Sequence, residues 1–494
     1  MSRAELASLD EMMARLERAL AASPADSTEI VWIEARRTQV TAGRGRRDQA
    51  RAAGPGGRAP CERNLLVRVR QSGRTGLHRT GGVEPSDLEN AVRDAAAQAR
   101  LAPPTPAEPL AGAGERRGAA APTVATAAPA AGGAASAGAP APAGGPGGPG
   151  TGRGDAIYDP ELAELEAVRA RALLDGAAER GELLRLSWLE GRVTVVNSAG
   201  LRQAARVTAA SFEASCGRGP GAGRAAGAAR RLDTLYLQDT LDRARARHAA
   251  APAGEDAGED AAVAPAAAAG PADLPMVLSE QSAAALIALL NRHALSAAAQ
   301  RDPGCGLHGR LGGPVLASCL SLRDDGTDPR ALPFPFDLAG WPKRQVDLFV
   351  DGVFATPAVD ARLAAEIGRP STPHGMAPDE SIAANLLLLP GDREPLPEAE
   401  LLRQAADGLW IGALDGLECF DPGRLRFRAR VRGGRRIDGD ALGPPLPDFL
   451  WEDDLLAALA RAAALGDRPA TIATGDMLFG ATVAPLLALR AAER

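Results

Sequence analysis

The chain has 494 residues, 56 basic against 62 acidic for a net charge of −6, and aromatics make up only 3% of it. That balance supplies neither the positive field nor the stacking rings of a nucleic-acid binder. Five scattered cysteines (Cys61, Cys216, Cys305, Cys319, Cys419) argue for a reduced, cytoplasmic protein rather than a disulfide scaffold, and no stretch reads as a transmembrane helix or a signal peptide.

In chain order, Leu6, Leu9, Met13, Leu16 and Leu20 recur at helical spacing and predict an amphipathic helix over 3–21. A strand is expected over 29–41 and a Gly/Arg-rich loop over 43–62. Strands at 64–71 and 77–80 flank a hairpin turn, Ser72-Gly73-Arg74-Thr75-Gly76. Pro85-Ser86-Asp87 signals a helix start, with Leu88, Val92, Ala96 and Ala99 on one face. These elements make a small α+β unit, 1–102.

Residues 103–153 read as a low-complexity linker; within it, 118–150 contains only Ala, Gly, Pro, Ser, Thr and Val. Such sequence buries too little apolar surface to offset the entropy of ordering it, so the linker is expected to be disordered and removable. A middle unit, 154–248, should hold a helix at 160–178 and strands at 182–189, 192–197 and 201–216, broken at Glu190-Gly191 and Ser198-Ala199-Gly200. A helix at 237–249 closes it, and a second linker covers 249–273.

From 274 to 494 the texture changes. A short strand, 274–278, leads into a helix at 280–299 with Ala284, Ile287, Leu290 and Leu295 at its apolar positions. Apolar runs at 313–323, 345–350, 384–390, 408–414 and 425–431 then alternate with turns and predict a β-rich domain. A helix at 452–465, with Asp453-Asp454 in its first turn, and strands near 470–474 and 482–489 complete the chain. The expected fold class is α+β: small N-terminal α/β units with antiparallel strands, followed by a β-rich C-terminal domain.

Several phrases, in order, carry a resemblance. They are "LLVRVRQSGRTGLHRT" with "DLENAVRDAAAQAR", then "VTVVNSAGL" (193–201), then Asp324-Asp325-Gly326-Thr327 with Pro335-Phe336-Asp337 and Gly340. "VDLFVDGVFATPAVDARLAAEIGRPSTPHG" and Asn385 with Pro390-Gly391-Asp392 follow. Together they resemble the TldD/PmbA (TldE) family of metalloprotease-related proteins. Taken singly, each piece also has a structural reading: Asp324-Asp325-Gly326 suits a turn, and Gly352 suits a hairpin tip where positive φ is needed.

Active members of that family resemble zinc peptidases, with HExxxH on one helix and a cysteine near the C-terminus. The resemblance places that helix at "ALIALLNRHALSAAAQ", where the family's GHAL matches Arg292-His293-Ala294-Leu295. The first histidine position then falls on Ala288 and the glutamate position on Leu289, neither able to bind metal or move a proton. The C-terminal stretch carries Thr474-Gly475-Asp476 and no cysteine, as in the noncatalytic PmbA/TldE branch. His293 alone is read as a packed or hydrogen-bonded histidine at a helix end. A divergent zinc site from His293, Cys305 and His308, with Cys319 nearby, is the alternative set of ligands. Ser371-Thr372 reads as a cap or turn rather than a nucleophile, and no nucleotide loop or nucleophile elbow is present.

The resemblance therefore implies a chain that is not catalytic alone and carries no cofactor of its own. It implies a dimer, with itself or with a zinc-bearing TldD-like metallopeptidase subunit, that encloses unfolded peptide, in the cytoplasm and away from nucleic acid and membrane. A divergent active zinc metallopeptidase and a stand-alone peptide-binding protein are the competing readings.

Overall fold

The computed structural model describes residues 8–43, 61–82, 84–106, 109–112, 157–179, 181–217, 219–249, 273–377 and 380–492. Most of the 103–153 linker and nearly all of 249–273 therefore lie outside the described residues, as do 44–60 of the predicted loop. Helix α1 (Leu9–Ala21) begins where the Ser8 hydroxyl accepts from the Glu11 amide, and it buries Met12, Leu16 and Ala19. Strands β1 (Ser27–Gly43), β2 (Cys61–Gln71) and β3 (Arg74–Thr80) follow, then α2 (Pro85–Leu101). The β2–β3 turn is the two-residue Ser72-Gly73, both at positive φ (51° and 74°), which matches the twist of the paired strands. The cap of α2 is Glu84, which exchanges side-chain bonds with Asp87 in a capping box; Ser86 lies inside the helix.

The middle segment contributes α3 (Pro160–Ala163), α4 (Ala167–Ala177), β4 (Glu182–Asn197), β5 (Arg202–Cys216), β6 (Gly223–Ala229) and α5 (Leu237–Ala249). It completes one six-stranded sheet of order β3-β2-β1-β4-β5-β6. All its pairings are antiparallel, and β1 joins β4 from Glu29↔Asn197 to Gly43↔Leu183. The segments on either side of the low-complexity linker thus share a sheet.

Side-chain alternation along β1 buries both faces: Ile30 and Trp32 pack with α1 and α2, while Val31 faces Phe334, Phe336 and Leu478 of the C-terminal part.

The structure departs from the expected elements at three places. The 160–178 helix is two helices. The Gly/Ala-rich strand β6 carries no alternating pattern and was invisible to periodicity. Glu190-Gly191 is not a turn: β4 runs straight through it. A Cβ at Gly191 would lie 2.1 Å from Leu478 Cδ1, so the glycine makes room for a side chain arriving from the C-terminal domain.

The C-terminal part opens with β7 (Met276–Leu278) and α6 (Glu280–Leu290), which ends in a π turn over Asn291–Leu295 and so stops short of 299. Next come β8 (Leu320–Asp325), β9 (Gln345–Val350), β10 (Val353–Phe354), α7 (Ala361–Ile367), β11 (Gly375–Ala377), β12 (Glu380–Ser381) and β13 (Leu386–Pro390). After α8 (Glu398–Gln404) follow β14 (Leu409–Ile411), β15 (Ala413–Asp421), β16 (Arg426–Arg432), β17 (Arg435–Asp438), β18 (Ala441–Pro445) and β19 (Phe449–Asp454). The chain ends with α9 (Leu455–Ala460), β20 (Ala462–Leu465), β21 (Ala470–Ile472), β22 (Thr482–Ala484) and β23 (Leu487–Leu489).

Two six-stranded sheets, β10-β9-β8-β13-β22-β21 and β18-β17-β14-β7-β23-β20, enclose a core into which α6 is set, and β15-β16-β19 form a third sheet. The expected helix over 452–465 is a strand, one short helix and another strand; Asp454 caps the helix by accepting from the Ala457 amide. The fold is α+β. Among the described residues no helix is long and apolar enough to cross a membrane.

Candidate functional site

Helix α6 lies against β21 and β22, which bracket the Thr474-Gly475-Asp476 stretch. Ala288 is half-buried on the helix, whereas Leu289 is 7% exposed and belongs to the main apolar core. His293 sits in the π turn, half-buried, its pKa pushed down by burial and by the neighbouring Arg292. Asn291 anchors that turn by donating from its side-chain amide to the Ala383 carbonyl at 2.7 Å. Where a tail cysteine would be sought, the Thr474 and Thr482 hydroxyls bond each other at 2.7 Å and Asp476 accepts from Arg37 at 2.8 Å through each oxygen.

The other histidine–cysteine ligands do not converge. Cys305 is packed in the apolar core, and His308 is exposed with Nδ1 2.8 Å from the Gln300 carbonyl oxygen. Among the described residues no group of three or more His, Cys, Asp or Glu side chains is placed to hold a metal ion. An alanine and a core leucine at the motif positions do not fit zinc, and no reaction step is derived through one.

The titratable side chains that do converge are Asp324, expected in a turn, with Lys343 and His374. Asp324, at the end of β8, is fully buried, as are His374 and the head of Lys343, the only lysine in the chain. Lys343 Nζ is 3.6 Å and His374 Nε2 is 3.2 Å from the same oxygen, Asp324 Oδ2. The other oxygen accepts from the Ala384 and Asn385 amides at 2.8 and 2.7 Å.

Burial opposes the charge on Asp324, but Lys343, His374 and these amides outweigh it and hold the carboxyl well below its usual range. His374 is pushed down by burial and by Lys343, against the pull of Asp324. The ring is held between Asp324 on the Nε2 side and the Thr372 hydroxyl, 2.6 Å from Nδ1. The same hydroxyl donates to the Val359 carbonyl at 3.0 Å and accepts from the Val359 amide at 2.8 Å, so it is tied to the backbone on both counts. Thr372, His374 and Asp324 thus stand in the order of a nucleophilic triad, but all three are sealed in the interior and no substrate can reach the hydroxyl. Thr372 caps no helix; its amide and hydroxyl fasten this segment to Val359.

Asp337 borders the same cluster. It accepts from the Ala339 and Trp341 amides through one oxygen and from the Gly375 amide through the other, at 2.9–3.0 Å. Burial nevertheless pushes its pKa up to about 6. Gly340, within this turn, has φ 84°, and a Cβ there would meet Leu201 Cδ2 at 2.1 Å. The cue that sequence reasoning passed over was the single lysine in an arginine-rich chain.

A second buried charge joins the two halves of the molecule. Arg230, after β6, donates all five of its guanidinium N–H groups to backbone carbonyls: Thr208, Leu332, Pro333, Met477 and Leu478, at 2.9–3.3 Å. No carboxylate touches it, and burial pushes its pKa down to about 9. It pins the loop before β22 and the 332–333 segment to the first sheet. Beside it opens a groove of about 1090 Å3, walled by 227–243 on one side and by 326–336 and 468–471 on the other.

The sequence profile of the PmbA/TldA metallopeptidase C-terminal domain matches residues 271–493. No curated protein matches the chain in sequence. Three solved structures share its fold over nearly the whole length. A candidate modulator of a DNA gyrase from Thermotoga maritima has a TM-score of 0.71 at 16% identity, covering 98% of this chain and 99% of that one. TldE from Thermococcus kodakarensis has a TM-score of 0.69 at 16% identity, with the same coverage. A candidate modulator of DNA gyrase from Bacteroides thetaiotaomicron has a TM-score of 0.68 at 15% identity, covering 97% of each chain. At these identities the structures speak for the fold of the whole chain, and residues 271–493 belong to the PmbA/TldA metallopeptidase C-terminal domain family.

Proposed function

We propose that this chain is a noncatalytic, TldE-like subunit that forms a peptide-enclosing dimer with a zinc-bearing TldD-like partner, in proteolysis or peptide maturation. The observation that carries the reading is Leu289. The position where a general base would stand is a core side chain, 7% exposed, beside an alanine at the first ligand position. Loss of a general base alone lowers a rate by about 10²–10⁴-fold, and loss of a metal ligand compounds it. The fold shared with a protein described as TldE supports the same role.

The test is to purify the chain alone and after co-expression with an HExxxH-bearing homologue, then measure bound zinc and cleavage of unfolded peptide. The chain alone is expected to hold no stoichiometric zinc and to cleave nothing, and the co-expressed pair to hold one zinc per heterodimer. Tightly bound zinc with chelator-sensitive cleavage by the chain alone overturns the proposal.

A further inference from the structure

Lys343 carries the only side-chain amine in the sequence. The other basic chains are arginines, whose guanidinium groups stay protonated and do not take up acyl groups, and five histidines. The fold closes this amine off. Its side chain is 0% exposed, and Nζ faces the equally buried Asp324 Oδ2 at 3.6 Å. The stem is pressed against backbone: a Cβ at Gly326 would lie 2.6 Å from Lys343 Cβ and 2.7 Å from Cγ.

The 326–335 segment beside it is fastened at several points. The Phe334 amide donates to the Gly326 carbonyl at 2.9 Å, and the Lys343 amide donates to the Pro335 carbonyl at 3.0 Å. Arg230 holds the Leu332 and Pro333 carbonyls at 2.9 and 3.0 Å from the other sheet. An acyl donor has no room to reach Nζ while these bonds stand.

We propose that Lys343 is a modification site held shut by the fold. An activated acyl donor reaches it only when the 326–335 segment lifts from the end of β8, and acylation then keeps that segment from closing again. In the step, the ammonium releases its proton to water and Nζ attacks the acyl carbon. An amide C–N bond forms, and the bond to the leaving group breaks, its electron pair departing with that group. The product is neutral and longer than the ammonium. It no longer balances Asp324, and the space beside that carboxylate does not take it. Acylation therefore marks chains that have opened and passes over folded ones.

The full chain is pulsed with N-hydroxysuccinimidyl acetate, and acetylation of Lys343 is read by peptide mass spectrometry, in buffer and across a urea titration. The folded chain is expected to react about 10²-fold more slowly than the unfolded chain, or slower still. Arg230→Gln, which releases the 332 and 333 carbonyls, is expected to speed labelling in buffer about tenfold or more. Lys343→Gln, a neutral stand-in for the acylated side chain, is expected to melt about 10 °C below the parent or not to fold. Labelling of the folded parent within about tenfold of the unfolded rate overturns the proposal. So does an Arg230→Gln chain labelled no faster than the parent, or a Lys343→Gln chain as stable as the parent.

Discussion

Replacing Lys343 by methionine tests whether the buried cluster holds the C-terminal domain together. Methionine keeps most of the stem that packs on Gly326 and deletes only the charge. The ammonium lies 3.6 Å from Asp324 Oδ2 with both side chains fully buried. At an effective dielectric of about 20, that separation corresponds to about 4–5 kcal/mol of attraction. The substitution leaves Asp324 ionised in the interior with only a neutral imidazole and two amides, the situation in which breaking a buried pair costs about 3–5 kcal/mol. For a domain of this size the melting temperature should fall by about 10 °C.

Adding Asp324→Asn should restore much of the loss. The asparagine oxygen still accepts from the Ala384 and Asn385 amides, and no charge is stranded. Denaturant unfolding of the two single variants and the double variant closes a cycle whose coupling is expected to exceed about 2 kcal/mol. A Lys343→Met protein within about 1 kcal/mol of the parent, or a cycle that is additive, refutes the account.

Asp337 gives a pH signature of opposite sign to ordinary carboxylates. Its folded pKa of about 6 lies above the usual 3.8, so its stabilising contribution is full below pH 3.8 and is lost as pH rises through 6. Between pH 4.5 and 6.5 the parent should lose about 2 kcal/mol relative to Asp337→Asn, and equal slopes in thermal melts would contradict this. Leu289→Glu, alone or with Ala288→His, should destabilise by about 3 kcal/mol or more without conferring zinc binding, because it buries a carboxylate in the core; zinc titration and melting check it. Arg230→Gln leaves several interior carbonyls without donors at about 1–3 kcal/mol each, so hydrogen exchange over 475–480 should accelerate well before global unfolding; unchanged protection there would show that the arginine is not the clamp.

Local chemistry was legible wherever the cause was local. Asp351-Gly352 forms a tight turn at positive φ, as Gly352 indicated, and the first hairpin turns where expected but over Ser72-Gly73 alone, because Arg74–Gly76 already pair in the strand. Gly191 misled for the same reason. A glycine within an apolar run suggests a break, but its cause is Leu478, which arrives from 287 residues further along the chain. The cluster was hidden more deeply. Asp324, Lys343 and His374 lie in three separate loops or strand ends, and no spacing in the sequence links them. Only the pairing of β8 with β9 and β13 brings the loops around them together. The compositional cue was nonetheless present. A compact ammonium fills a tight buried space beside one oxygen where a planar guanidinium fork does not, and the chain uses lysine only there.

The residues that carry the family resemblance turn out to be scaffolding, which explains how the resemblance persists where the zinc ligands do not. Asp324 organises the entry to β13 through two amides. Asn385 is fully buried, accepting from the Leu332 and Ala481 amides and donating to the Leu332 and Phe479 carbonyls, and so fixes the tail to the 332 loop. Asp337 gathers the amides of 339, 341 and 375. Each of these carboxylates and amides satisfies buried backbone that would otherwise be left unpaired at about 1–3 kcal/mol per group. Ala288 and the Thr474–Thr482 pair satisfy nothing of that kind beyond their own neighbours, and Leu289 contributes apolar packing. The fold therefore depends on its polar signature and tolerates the loss of a catalytic pair, provided that the base position is filled by an apolar side chain.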